Sequence, residues 1–139
     1  MDNIIVRLVN ENDAEKLFVL NEELQKQKNI NSIESNKQEI IIMAEYNNKV
    51  VGFCCVQIMK SICYFTIHAE ITELYVQEFY RRKGIATKLM KYIENFCYNE
   101  YGIKDFHLLT GGKNITAQKL YESLDYKFKD RKLYIKGNY

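Results

Sequence analysis

The sequence predicts a single mixed α/β domain, neither doubly wound nor all-β. Three observations predict it. Short β-branched runs alternate with amphipathic helical stretches. One helix after the middle strands, Gly84 to Tyr98, is long and strongly patterned. At 139 residues the chain is one domain in length and long enough to bury an ordinary core.

The elements follow in order. Ile4 to Val9 alternates weakly and reads as a strand. Asn12 is placed to cap a following helix, with Glu15 completing a capping box. Ala14, Leu17, Phe18, Asn21 and Leu24 keep helical spacing, and the helix fades near Gln27. Asn29 to Lys37 is polar and reads as loop. Glu39 to Tyr46 and Val50 to Met59 are apolar strands joined through Tyr46-Asn47-Asn48-Lys49. Two asparagines tolerate positive φ, so a two-residue hairpin is expected there. Lys60 to Tyr64 gives no clear signal, and Ile67 to Val76 reads as a strand. In the long helix Ile85, Leu89, Tyr92, Ile93 and Phe96 form one apolar face. Asp105 to Thr110 is a short strand, and Asn114 to Leu124 a helix with Ala117, Leu120, Tyr121 and Leu124 inward. Tyr126 to Phe128 and Leu133 to Ile135 are read as closing strands around Asp130.

Composition narrows the function. Hydrophobic residues make up 47% and charged residues 27%, a soluble globular profile. A net charge of +2 argues against nucleic acid as a partner. No apolar run approaches the ~20 residues that span a bilayer, so no membrane role is expected. Met1 to Arg7 lacks the pattern of a signal peptide, and a cytoplasmic location is expected. Cys54, Cys55, Cys63 and Cys97 form no C-x-x-C pair, and only His68 and His107 accompany them. No metal site is expected, and the thiols read as buried and reduced.

The most informative segment runs from Glu70 to Lys91. A strand ends near Val76, a polar loop follows, and Arg81-Arg82-Lys83-Gly84-Ile85-Ala86-Thr87 opens the long helix. A helix start offers unpaired N–H groups and the positive end of the dipole, which suits a phosphate. Gly84 allows close backbone approach, and the basic residues add charge. A basic helix start with a glycine for packing explains the same residues. The G-x-G-x-x-G and G-x-x-x-x-G-K-[ST] patterns are both absent.

Arg81 to Ala86 resembles the Q/R-x-x-G-x-G/A signature of the GNAT N-acetyltransferase family. It follows Glu73-Leu74-Tyr75-Val76 and opens a long amphipathic helix, as in that family. Asn114 to Tyr126 resembles the family's N-x-x-A-x-x-L-Y-x-x-x-G-F/Y segment. Asp125 stands where that segment has glycine. Aspartate tolerates the left-handed region, so no change of fold is expected. The resemblance covers essentially the whole chain. It implies one GNAT domain over 1–139, with a mixed, mostly antiparallel central sheet flanked by helices, the acyl-CoA N-acyltransferase fold.

The resemblance also implies a site. The co-substrate would be acetyl-CoA, with no metal. Backbone of Leu74, Tyr75 and Val76 would pair with the pantetheine arm. N–H groups from Arg82 through Thr87, with Arg81 beside them, would hold the pyrophosphate through Arg82, Lys83, Gly84, Ile85, Ala86 and Thr87. The Leu74 N–H would bind the thioester oxygen, and Asn114 would contact pantetheine from the other side. A neutral primary amine would attack the thioester directly. Glu70, eleven positions before Arg81, matches the family's base and is favoured over Glu73. Three residues apart, the two lie on opposite faces of an unbroken strand, and a bulge would alter that. Tyr121 is the candidate acid for the departing thiolate, against the reading of a core tyrosine. His68, near the same strand, could assist, but a lone histidine in a strand reads as structural or exposed.

The acceptor would be a small-molecule or peptide amine. The loop after the first helix is short, which predicts an open, shallow acceptor site walled in part by 60–66. Glu22, Glu23, Glu34 and Glu39 lie near it and also read as solvated surface. The strand from Ala69 to Val76 locally resembles the aminoglycoside-acetylating branch, without naming a substrate. A homodimer is the default for an enzyme of this size. Two other classes compete with the enzyme: a non-catalytic acyl-CoA-binding regulatory module, and a nucleotide-binding domain using Arg81 to Lys83.

Overall fold

A computed structural model describes residues 3–24, 39–60 and 67–137. The loop read over 29–37, segment 61–66 with Cys63, and Glu34 lie outside the described residues. The chain divides into two compact units, Met1–Leu109 and Thr110–Tyr139.

The first unit is a five-stranded sheet in the order β1-β2-β3-β4-β5. Its strands are β1 (Ile4–Leu8), β2 (Glu39–Tyr46), β3 (Lys49–Met59), β4 (His68–Val76) and β5 (Phe106–Leu108). The first four pair antiparallel in sequence order, and β5 joins β4 in parallel. Asn47 and Asn48 both have positive φ, 49° and 72°, so the asparagine pair makes the expected two-residue turn.

Helix α1 (Ala14–Leu24) begins one residue later than a cap at Asn12 would place it. The cap is Asn10, not Asn12: its side chain accepts the Asn12 N–H, and Asp13 closes the box on the Asn10 N–H at 2.9 Å. A single 3-10 turn, Glu11–Asp13, leads into the helix. Asp13 is buried and also accepts two bonds from the Arg7 guanidinium, at 2.7 and 2.8 Å. The Arg7 Nε donates to Glu45 at 2.7 Å. A charged side chain this buried is tolerable only when fully partnered. Here it ties β1, β2 and the start of α1 to one another.

The two helices of this unit cover opposite faces of the sheet. Leu17 and Leu20 of α1 pack with Ile41, Met43, Phe53 and Cys55. Leu20 completes a stripe that the spacing had assigned to Leu17 and its helical neighbours. Helix α2 (Ile85–Tyr101) packs on β1 to β4. It buries Ile85, Leu89, Met90, Ile93 and Cys97, while Tyr92 and Phe96 are half-buried, with near-parallel rings 6.5 Å apart. The buried stripe is thus rotated from the expected one toward Met90 and Cys97. The smaller side chains sit closest to the sheet, and the rings lie at the margin of the stripe. Side chains such as Leu89 and Ile93, wholly buried, contribute roughly 1.5–3 kcal/mol each. The helix runs past Tyr98 because its stop is Gly102, at φ 68°, with Gly102 and Ile103 donating back to Tyr98 and Cys97.

In the second unit, α3 (Ile115–Ser123) is capped by Asn114, whose side chain accepts the Ala117 N–H. At its end Asp125 has φ 70°, the left-handed conformation expected where the family pattern has glycine. The Asp125 N–H donates to the Glu122 carbonyl and the Tyr126 N–H to the Tyr121 carbonyl, the two bonds of a Schellman stop. The closing strands read over 126–128 and 133–135 are not formed; 126–137 carries no strand. Phe128, Leu133, Tyr134 and Ile135 are exposed. Alternation alone does not make a strand, and a lone hairpin without a covering face is marginal in water.

Two outcomes are expected. The Arg7 guanidinium holds the Asp13 carboxyl below its ordinary value of 3.8. The ion pair therefore contributes stability above that value and loses it as pH falls through the lower folded value. Asp13→Asn is expected to destabilise at neutral pH, with the gap from wild type narrowing below about pH 4 in denaturant titrations. Burial pushes the Cys97 thiol up to about 11, and Cys54, near Cys97 and Glu94, higher still. Mass mapping after alkylation at about pH 8 should leave both unmodified until the protein unfolds.

Candidate functional site

The site is built on β4 and the segment between it and α2. Strand β4 pairs with β3 along its whole length, but the register breaks once. Cys55 faces Glu73 and Val56 faces Ile71, so Thr72 has no partner across the ladder. This is a bulge, with the Thr72 hydroxyl 3.4 Å from the Cys55 carbonyl, to which it donates. Its effect is read from the facing residues. Gln57 and Cys55, two apart, share a face of β3, and they stand opposite Glu70 and Glu73. The bulge therefore brings both carboxylates to one face, where an unbroken strand would separate them. Tyr75, opposite Phe53, and His68, opposite Met59, share that face, which is the one α1 covers. Glu70 and Glu73 are both half-buried, and the Glu70 carboxylate has no partner among the described residues.

The other edge of β4 is paired for only part of its length. Its parallel ladder with β5 covers Ala69, Glu70 and Ile71. From Thr72 to Val76 no ladder pair among the described residues joins β4 to β5. Beyond Ile71 this edge of β4 has no β5 residue beside it among the described residues, and the Val76 carbonyl accepts from the Arg81 Nε.

Beyond Val76 a 3-10 turn, Glu78–Tyr80, leads to the basic segment. Arg82 has φ 65° and Gly84 φ 79°. A left-handed arginine costs roughly 1–2 kcal/mol, so the surrounding structure enforces this path. Gly84 is the N-cap of α2 and supplies no side chain to it. The first intrahelical bond is Lys88 N–H to the Gly84 carbonyl, so Ile85, Ala86 and Thr87 carry N–H groups ahead of the ladder. No acidic residue lies in the first turn. The result is a 17-residue helix whose positive end is open to an anion.

Aromatic rings brace this segment, which the spacing of the basic residues does not foretell. Lys83 lies over the Tyr46 ring at 5.3 Å and Lys49 over Tyr80 at 5.4 Å, while the Tyr46 and Tyr80 centroids are 5.3 Å apart. The available signal is the Asn47-Asn48 turn, which brings Tyr46 and Lys49 to this end of the sheet. Arg81 turns back: its Nε donates to the Val76 carbonyl at 2.8 Å, and its guanidinium lies 5.8 Å from the Tyr75 ring centre. It fastens the end of β4 to the loop.

The sequence-predicted residues thus fall into two groups. Glu70, Glu73, Leu74, Tyr75, Val76 and Arg81 to Thr87 are brought together along β4 and the start of α2. Asn114 and Tyr121 belong to the second unit, where Asn114 caps α3 and the Tyr121 and Tyr126 rings are 6.2 Å apart. Among the described residues no group of three His, Cys, Asp or Glu side chains is placed to hold a metal ion. No helix among them is long and apolar enough to cross a membrane.

The pattern of the acetyltransferase (GNAT) family matches residues 5–126. The chain belongs to that family. An N-alpha-acetyltransferase of Saccharolobus solfataricus is 31% identical over 91 residues, covering 61% of this chain and 54% of the relative. The chain thus matches about half the length of this curated GNAT relative. Among solved structures, a possible acetyltransferase from Clostridium difficile 630 superposes with a TM-score of 0.80 at 23% identity, covering 98% of each chain. An aminoglycoside acetyltransferase from an uncultured soil metagenomic sample, solved with sisomicin, gives 0.82 at 18% identity over 98% of this chain and 96% of its own. The aminoglycoside acetyltransferase AAC(6')-Iy, bound to a CoA bisubstrate analogue, gives 0.85 at 16% identity over 98% and 99%. These similarities show the GNAT fold.

Gly52 tests the packing behind the site. A Cβ there would lie 2.6 Å from the Tyr75 carbonyl oxygen, so β3 and β4 approach too closely for a side chain. Gly52→Ala is expected to cost about 1–3 kcal/mol in urea unfolding. An unchanged midpoint would show that this approach is slack.

Proposed function

We propose that this chain is an acetyl-CoA-dependent N-acetyltransferase in which a primary amine attacks the thioester directly. One observation carries the proposal: the β4–β5 ladder stops at Ile71 beside an uncapped, acid-free start of α2. Past the end of that ladder, β4 runs on to an anion-binding helix end. An extended arm with amides and a pyrophosphate at its end fits both. Pantetheine would pair with Leu74 to Val76, and the pyrophosphate would meet Arg82 to Thr87. The neighbours solved with CoA derivatives support acetyl-CoA as co-substrate.

The chemistry uses the face that the bulge creates. Negative charge develops on the thioester oxygen as the amine nitrogen bonds to the carbonyl carbon. A strand N–H at Leu74, fixed in place, stabilises that charge. The amine must be neutral to attack, and Glu70 on the acceptor face takes its proton, directly or through a water. Glu73 shares the face and is the second candidate. Tyr121 gives a proton to the departing thiolate. The acceptor is a small-molecule or peptide amine; the curated relative is named for α-amines and several neighbours for aminoglycosides.

The test is CoA release from acetyl-CoA with a panel of polyamines, aminoglycosides, amino acids and short peptides, beside a control without acceptor. Turnover with one class is expected. Glu70→Gln and Tyr121→Phe should each lower kcat by about 10²-fold or more with acetyl-CoA affinity retained. A chain that does not bind acetyl-CoA, by calorimetry, would overturn the proposal.

A further inference from the structure

The two histidines of the chain meet on the acceptor face. His68 opens β4 and is buried at 6% exposure, and His107 lies in the middle of β5 and is exposed. Their ring centroids are 4.7 Å apart, with the planes inclined at 35°. His107 is also the register partner of Glu70 across the parallel ladder. Partners in a ladder point to the same face. A half-buried carboxylate, a buried imidazole and an exposed imidazole therefore adjoin one another. Charged residues adjoining this pair along the strands are Glu73 farther along β4, Lys60 after β3, and Asp105, whose carbonyl accepts the Ala69 N–H. From β3 the pair is faced by Gln57 and Met59, which do not titrate.

The reaction needs an outlet of this kind. An alkylammonium gives up two protons on becoming an amide. As the C–N bond forms and the C–S bond breaks, one proton ends on the CoA sulfur. The other is taken by the base and must leave before the next turnover. We propose that His107, held by His68, carries this proton from Glu70 to solvent. The His107 imidazole accepts it from the Glu70 carboxyl and releases it to water, and the imidazole is unchanged at the end of the cycle. An imidazole suits this step because its ordinary pKa lies near neutrality. His107 and His68 are positioning residues here, acting through Glu70, and the inference rests on the acetyl-transfer reading.

The test uses the whole chain. For sisomicin or a short peptide with a free α-amine, whichever wild type acetylates, His107→Gln should lower kcat about 10-fold near pH 7 with KM unchanged. Free imidazole should restore part of the rate, which a purely structural loss would not allow. Turnover that His107→Gln leaves unchanged, or a loss that imidazole does not rescue, overturns the relay alone. A wild-type chain that acetylates none of the panel takes the relay down together with the acetyl-transfer reading.

Discussion

The arrangement of the site depends on a single unpaired residue, Thr72. A strand with period two fixes which face each side chain takes. One extra residue in β4 resets that alternation relative to β3 without breaking the ladder on either side. His68 and Glu70 before it and Glu73 and Tyr75 after it then share the face covered by α1. Without the bulge the second pair would turn toward α2, and Leu74 and Val76 would turn away from it. The bulge also coincides with the end of β4–β5 pairing, since the last pair is Ile71 with Leu108. Accentuated twist is what bulges impose locally, and it accounts for two strands parting at that point.

What lets β4 part from β5 is that it is held elsewhere. On its β3 side it remains paired to Val76, the last partner being Gly52, where no side chain separates the backbones. At its end Arg81 takes the Val76 carbonyl, and the Gln77 N–H donates to the Val51 carbonyl. On the far side of the sheet the Arg7–Asp13–Glu45 set fixes where α1 begins. A buried carboxylate that accepts three bonds can be satisfied in one geometry only, so it sets the register of that corner in a way that apolar contacts alone do not.

Much of this was legible in the sequence, for local reasons. Asn47-Asn48 specified its turn, Gly84 its helix start, and Asp125 its left-handed stop, because each is decided by one residue's own backbone preferences. The element order and the basic segment before α2 were readable from period and spacing. Other features were not, because they depend on partners distant in sequence. Asn10 and Asn12 are equally good caps taken alone, and Arg7 decides between them by binding Asp13. The turned-back Arg81 and the His68–His107 pair exist only once β4 is set beside its neighbours. The alternation over 126–135 gave a false strand signal, as alternation reports faces and says nothing of a partner.

The bulge also bears on which carboxylate serves as base. Sharing a face makes Glu70 and Glu73 chemically alike in direction, so orientation no longer separates them. Position along the strand does. Glu73 lies beyond the bulge, directly before Leu74, on the part of β4 that the proposed function gives to the pantetheine arm. Glu70 lies before it, where β4 and β5 are still paired and His107 stands alongside. A base must hand on its proton as well as receive it, and Glu70 has the neighbouring imidazole through which to do so. Under the proposed function, the bulge thus divides β4 into a length given to the acyl donor and a length given to the proton, with the thioester carbon expected at the boundary.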